Sequence, residues 1–401
     1  METQVLSGRI SEAADILKSG GLVAVPTETV YGLAADGFNE KAVGRIFEVK
    51  GRPENKPLSL MVPDSSAIEK LCTDVPRAAY VLAEVFWPGP LTIVLKSKNI
   101  VPAIVRADGD TVGLRCPDHP QLQELLHSID FPLAAPSANP SGAKSPVSAK
   151  EVLQYFDGKI EGIIDGGDCA VGRESTLVDL TKTPYTIIRE GAVSARDVFT
   201  ALAASMTIIG ITGGTGCGKT TALNVIKHMG GLVIDCDEVY HRLLQESAQM
   251  RSAINDRFPG AIQENSHDTK ALGEIVFSNP EDLRALNEIT HRFVGEEIER
   301  QILDWARKGG EFAAIDAIAL IESGIANICK ATVGVTAPAE MRIERLMRRE
   351  NISKEYAALR VSAQKPDEFF AENCDYIVSN DGSEEDFIEK CTQLFNNIIG
   401  R

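Results

Sequence analysis

Two joined α/β halves are predicted, a mixed and twisted one over residues 1–205 and a doubly wound parallel sheet over 206–401. Three observations predict them. Short apolar or β-branched runs alternate with helical patterns along the whole chain, which is the mark of α/β architecture. In the second half the alternation is regular, and its first strand runs through a glycine-rich turn into a helix. At 401 residues the chain is also too long for one ordinary core.

In the first half, helical spacing from Ile10 to Ser19 stops at Gly20-Gly21, and Leu22–Val25 reads as a strand ending at Pro26. Lys41 to Glu48 is helical and stops near Gly51. Leu58–Val62 reads as a strand, Val75–Phe86 as a helix ending before Trp87-Pro-Gly-Pro90, and Leu91–Lys96 as a strand again. Further strands are read at Thr111–Arg115, Leu133–Ala135, Gly162–Asp165, Ser175–Asp179 and Tyr185–Arg189. Pro120–Ser128 and Ala149–Phe156 read as helices, and Val198–Ser205 as a terminal helix or linker. In the second half, strands are expected at Ile208–Thr212, Leu232–Asp235, Glu311–Ile315, Ala331–Val335 and Tyr376–Val378. Helices fill the gaps, notably Lys270–Phe277, Pro280–Lys308 and Ala339–Arg349.

Composition narrows the function classes. The net charge of −16 argues against a general nucleic-acid or membrane-surface binder. No stretch approaches the roughly 18 uncharged apolar residues of a membrane span. The start, Met1-Glu-Thr-Gln-Val, lacks the basic and apolar regions of a signal peptide. Eight cysteines without a C-x-x-C pair read as reduced thiols, so a cytoplasmic location is expected.

The turn in the second half is Gly213-Gly214-Thr215-Gly216-Cys217-Gly218-Lys219-Thr220, followed by Thr221 at the head of a helix. It fits G-x-x-x-x-G-K-[ST], a loop whose backbone N–H groups cradle a polyphosphate at a helix N-terminus. Lys219 is expected to reach the β- and γ-phosphates of ATP and Thr220 to coordinate Mg²⁺. Asp235 and Asp237 stand two apart at the end of an apolar strand, so in alternating geometry they point the same way, into the crevice at the strand's carboxyl end. One suits Mg²⁺ and the other a proton from an attacking hydroxyl. Capping of the helix Glu238–Gln245 is the other reading of either one. Arg345, Arg348 and Arg349 can close over a transferring phosphoryl group or can form a solvated basic face.

With Thr290-His291, Ala314-Ile-Asp316, Leu320-Ile-Glu322, Arg360, Gln364 and Cys374–Gly382, these residues resemble dephospho-coenzyme A kinase over nearly all of 206–401. The resemblance implies a P-loop kinase fold and transfer of phosphate from ATP to the ribose 3′-hydroxyl of dephospho-coenzyme A. It implies Asp237 as general base, Asp235 and Thr220 as Mg²⁺ ligands, and Arg345, Arg348 and Arg349 in a mobile lid. His291-Arg292 and Ile318–Glu322 depart from the family pattern near its acceptor.

The first half carries Pro26–Leu33 with Thr27, then Lys50, Arg52 and Lys56 in a loop broken by glycine and prolines. Three cations so placed can wrap a triphosphate. Ser137, Asn139 and Ser141 supply small donors on a turn. Together with Trp87–Thr92, Val112–Pro117, Ser175–Asp179 and Ile188–Gly191 the set resembles threonylcarbamoyl-AMP synthase, of YrdC/Sua5-like fold, from about Ser7 to Val198. The resemblance implies synthesis of L-threonylcarbamoyl-adenylate from L-threonine, bicarbonate and ATP, with pyrophosphate released and the product passed to a tRNA-modifying complex. Lys50, Arg52 and Lys56 would neutralise phosphate charge. Thr27, Arg115 and Ser175 would hold threonine, with Arg115 facing its carboxylate. Thr111, Ser137, Asn139, Ser145 and Arg189 would line the nucleotide. Two other readings stay open: a first half that only binds RNA, and a second half that binds ATP as a regulator without transferring phosphate.

Overall fold

The computed structural model describes residues 2–262, 270–276 and 278–401. They fall into two compact units. One holds the described residues up to Ala204 with Arg307–Gly309, and the other the described residues of Ser205–Ala306 and Gly310–Arg401.

The first unit is built on a mixed ten-stranded sheet. Its strands are β1 (Gln4–Val5), β2 (Val23–Val25), β3 (Gly32–Asp36), β4 (Ser59–Met61), β5 (Leu91–Lys96), β6 (Thr111–Arg115), β7 (Leu133–Ala134), β8 (Gly162–Ile163), β9 (Thr176–Asp179) and β10 (Thr186–Arg189). They lie in the order β1-β8-β2-β3-β7-β4-β6-β5-β9-β10. Helix Ile10–Lys18 places Ile10, Ala13, Ala14 and Leu17 on one stripe, and these pack with Leu122, Leu125 and Leu126 of helix Pro120–Ser128. Strand register sets the site. Arg115 pairs with Met61, Ile93 with Leu114 and Leu91 with Thr176, so Arg115, Thr92 and Ser175 gather at one end of the neighbouring strands β6, β5 and β9. Thr111 pairs with Lys96 at the opposite end of β6.

Several elements differ from expectation. The β3 strand Gly32–Asp36 was not expected, because Gly-Leu-Ala-Ala-Asp has little strand preference. It forms because β2 and β7 pair with it on either side and bury it. The edge strand β1 and the short helices Ser66–Leu71 and Ala103–Arg106 were likewise not expected.

The second unit is a five-stranded, all-parallel sheet, as expected of a doubly wound P-loop fold. Its strands are β11 (Thr207–Gly213), β12 (Leu232–Asp235), β13 (Phe312–Asp316), β14 (Ala331–Thr336) and β15 (Tyr376–Ser379), in the order β12-β13-β11-β14-β15. The central β11 is buried along its whole length, as a strand covered on both faces must be. Helices Lys219–His228 and Glu384–Ile399 contribute Ala222, Ile226, Phe387, Cys391 and Phe395 to its core. The helix expected over Lys270–Phe277 spans Lys270–Val276, and Phe277 lies outside the described residues. Among the described residues no helix is long and apolar enough to cross a membrane.

Candidate functional sites

In the second unit β11 ends at Gly213 and helix Lys219–His228 begins after Gly218. Gly218 has a φ of 108°, and a Cβ there would stand 2.1 Å from the Asn380 amide, so both backbone and space demand glycine. Side chains from outside hold the loop's carbonyls. Arg342 donates through Nε to Thr215 O at 3.0 Å, Arg345 to Gly216 O at 3.2 Å, and Asn380 through Nδ2 to Cys217 O at 2.9 Å. Gln364 accepts from Thr215 N at 2.7 Å. The N–H groups that open a helix have no carbonyl four residues back within it, which makes a helix start a site for anions. Lys219 Nζ donates to Gly213 O at 2.9 Å, which bends the side chain back along the loop.

A cavity of about 310 Å³ opens over this loop. Gly214, Thr215, Gly216, Gly218, Lys219 and Thr220 line it, facing Asp237, Asp316, Arg345 and Arg349. Gly213 sits beneath, at the strand end. Thr221 is in the helix, its N–H on Gly218 O at 3.0 Å. Cys217 is buried in the core, and burial pushes its thiol up. Arg342, Arg345 and Arg349 fall at i, i+3 and i+7 of helix Ala339–Glu350 and so share a stripe. Arg348 is off that stripe, exposed, and outside the cavity lining.

Of the two readings of Asp235 and Asp237, alternation along one strand needs correction and capping holds for Asp235. The strand ends at Asp235, whose Oδ1 accepts from Asp237 N at 2.9 Å and Glu238 N at 3.0 Å as the cap of helix Cys236–Glu246. Asp237 belongs to the helix, so the two do not alternate along one strand. The carboxylate that joins Asp237 in the cavity is Asp316, at the carboxyl end of β13. Its Oδ1 is buried without a hydrogen-bond partner. Burial raises its carboxyl from 3.8 to about 6, against the pull of Lys219 and with Asp235 and Asp237 adding to the rise.

In the first unit a cavity of about 200 Å³ lies over the strand ends where Arg115, Thr92 and Ser175 gather. Arg52, Arg115, Ser137, Ser175 and Arg189 line it, together with Thr92 and Glu174. Arg115 is almost wholly buried and donates to Glu28 at 2.7 Å, to Thr29 Oγ1 at 3.0 Å and through Nε to Gly89 O at 3.3 Å. Ser175 Oγ shares a hydrogen bond with Thr92 Oγ1 at 2.9 Å. Arg189 donates to Ser175 O through Nε at 3.2 Å and Nη2 at 2.8 Å. Arg52 donates to Lys56 O at 3.3 Å and Pro57 O at 2.9 Å. Burial, then Arg189, lowers its pKa.

Four expected residues sit elsewhere. Thr27 is buried, its hydroxyl engaged with Thr29 Oγ1 and Val30 O, and it closes a turn rather than lining the cavity. Lys56 is exposed. Thr111 is four residues along β6 from Arg115, about 13 Å at strand rise. Lys50 is not in the loop. It ends helix Glu40–Lys50, which Gly51 terminates at a φ of 57°, and its buried Nζ donates to Ser137 O and Asn139 O. Asn139 and Ser145 stand behind the lining, linked to each other at 3.5 Å. Glu174 was missed, and Glu28 and Thr92, inside the motifs quoted, were given no role, because each gains meaning only from a partner distant in sequence.

Burial, with Arg52 second, lowers the Lys50 ammonium from 10.5 to about 8. Between those values the unfolded chain binds more protons than the folded one, so stability rises with pH. From pH 8 to 10.5 the first unit is expected to gain stability relative to Lys50→Met, as read by paired thermal melts. A constant difference between the two proteins would refute this.

Residues 15–191 match the Sua5/YciO/YrdC family model, whose description is "Telomere recombination". Residues 207–386 match the dephospho-CoA kinase family model. A threonylcarbamoyl-AMP synthase of Pyrococcus abyssi is 46% identical over 190 residues, 47% of this chain and 56% of that protein. One of Pseudomonas syringae pv. syringae is 36% identical over 187 residues, 47% of this chain and 100% of that protein. A dephospho-CoA kinase of Dehalococcoides mccartyi is 36% identical over 191 residues, 47% of this chain and 96% of that protein. The chain spans about half the length of the first curated synthases it matches.

Proposed function

Because the first half of this chain belongs to the Sua5/YciO/YrdC family of threonylcarbamoyl-AMP synthases and the second to the dephospho-CoA kinase family, we propose that one polypeptide carries two ATP-dependent transferases with unrelated products. The observation that carries this reading is a separate cation-lined cleft in each unit, one built on a helix start and one on arginine side chains.

In the second half, Lys219 and the amides at the helix start would hold the β- and γ-phosphates of ATP, and Arg345 and Arg349 would balance charge on the group in transit. Asp237 would take the proton from the 3′-hydroxyl of dephospho-coenzyme A. The Thr220 hydroxyl and the Asp237 and Asp316 carboxylates are hard oxygen donors, and the partnerless Asp316 Oδ1 fits a cation site. Among the described residues no three acidic, His or Cys side chains cluster closely enough to hold a metal alone. That suits Mg²⁺, which keeps water and phosphate ligands. Mg²⁺ held there would neutralise charge on the phosphates of ATP.

In the first half, threonine's amine and bicarbonate-derived CO₂ would give a carbamate, already a nucleophile, so no side-chain base is required. The cleft would supply alignment and charge balance. Arg52 and Arg189 would face the departing pyrophosphate. Arg115, braced by Glu28, would hold the threonine carboxylate, with Thr92 and Ser175 at its hydroxyl. Lys50 would act behind them by fixing the Ser137–Asn139 turn. The adenylate would pass to a tRNA-modifying complex. All eight cysteines are free thiols, which supports a reducing, cytoplasmic setting.

Single substitutions in the full chain test the reading. Lys219→Ala is expected to reduce dephospho-coenzyme A phosphorylation by about 10³ and to leave threonine- and bicarbonate-dependent pyrophosphate release intact. Arg52→Ala is expected to do the reverse. Loss of both activities from either change would overturn two independent sites.

A further inference from the structure

We propose that Glu174 occupies the polyphosphate subsite of the first cleft as a built-in anion, so that a polyphosphate enters by exchange with a carboxylate. The inference rests on the reading of that cleft as a nucleotide site.

Glu174 stands just before β9 and lines the cavity. One carboxylate oxygen, Oε2, pairs with Arg189 Nη1. The other, Oε1, accepts from Ser145 Oγ at 2.9 Å. Its charge also reaches Lys50 and Arg52. The carboxylate therefore sits among the groups expected to meet phosphate. Arg52 has no carboxylate in hydrogen-bond contact among the described residues, so Glu174 is the anion that offsets this cluster.

The geometry allows exchange without rebuilding the cleft. Arg189 is held independently, since its Nε and Nη2 both donate to Ser175 O. Only Nη1 points to Glu174. Glu174's backbone is pinned by Ala192 N donating to its carbonyl at 2.9 Å. Its side chain is about one-third exposed. Rotation of that side chain alone would free Nη1 for a phosphate oxygen while the guanidinium stays in place. An entering ligand must outcompete one carboxylate, which favours multiply charged polyphosphate over a monoanion. On departure the carboxylate returns to Arg189 and opposes rebinding of pyrophosphate.

The test uses pyrophosphate as probe, with calorimetric titration in buffer free of divalent cations. It uses the full chain carrying Lys219→Ala, so that the second half's loop does not take up the probe. Glu174→Gln keeps the size and the link to Ser145 but removes the charge. It is expected to tighten pyrophosphate binding about five-fold, the worth of one like charge near a surface cleft. Glu174→Asp, which keeps the charge and withdraws it by one methylene, is expected to tighten binding about two-fold and serves if the first variant does not fold. A merely structural role predicts weaker binding, because Arg189 would lose its charged partner. Unchanged or weaker binding in the folded variants would overturn the inference. Absence of pyrophosphate binding in the Lys219→Ala chain with Glu174 intact would instead overturn the nucleotide reading of the cleft.

Discussion

Asp316→Asn is expected to lower phosphoryl transfer by the second half about 10³-fold while making that half more stable. The two effects share one cause. Asp316 is held at the end of β13 with one buried oxygen lacking a partner. Burial raises its carboxyl from 3.8 to about 6. The folded state thus holds the proton longer than the unfolded state does, and the native protein is penalised for ionising the group as pH rises from about 4 to 6. Above pH 6 the penalty is complete, on the order of 3 kcal/mol. The neutral amide removes it, so denaturant melts at pH 7.5 in metal-free buffer should show a gain of about that size, shrinking toward zero near pH 4. The same amide cannot supply the negative oxygen that a Mg²⁺–phosphate complex needs at this position. A variant that is less stable at pH 7.5, or fully active, would show that Asp316 is an ordinary structural carboxylate.

Arg342→Ala is expected to destabilise the second half by about 3 kcal/mol and to weaken ATP binding there about 10²-fold. Arg342 is buried, and its guanidinium joins Thr215 O at 3.0 Å to Gln364 Oε1 at 2.6 Å. Gln364 in turn holds Thr215 through N–H and hydroxyl. Truncation leaves buried acceptors short of a donor and opens a void, and both mechanisms rank among the costly ones. Arg342→Lys keeps the charge but cannot span the two acceptors as a planar fork, so an intermediate loss is expected. Threonine-dependent pyrophosphate release by the first half serves as the internal control. ATP affinity retained in a folded Arg342→Ala protein would show that the loop does not need this brace.

Much of the architecture was legible because β-branched runs report on buried strands. Leu91–Lys96 and Thr111–Arg115 form over the residues expected. The parallel sheet of the second half followed from its strand–helix alternation. What escaped notice depends on partners far along the chain. Gly32–Asp36 is a strand because β2 and β7 flank it, not because of its own residues. Asp235 and Asp237 were read as alternating strand neighbours, yet the chain turns into a helix between them. The charge of Lys50 suggested a ligand, but its position at a helix end turns it inward onto two carbonyls. Thr111 and Arg115 share a strand, and only register shows that one end faces the cavity. Asp316 did carry a signal, since a carboxylate at the carboxyl end of a parallel strand beside the loop strand faces the ligand crevice. Gln364 entered only through the resemblance, and the bracing role of Arg342 and Gln364 was not legible because both are distant in sequence from the loop.

The outward hold on Thr215, Gly216 and Cys217 carbonyls has a kinetic meaning. Arg342, Arg345 and Asn380 impose that conformation from two other elements of the same unit. The entropy of ordering this segment is therefore lost during folding and not at each encounter with ATP. Capture by the second half should then proceed at a rate governed by diffusion and charge, in a single phase without a slow isomerisation.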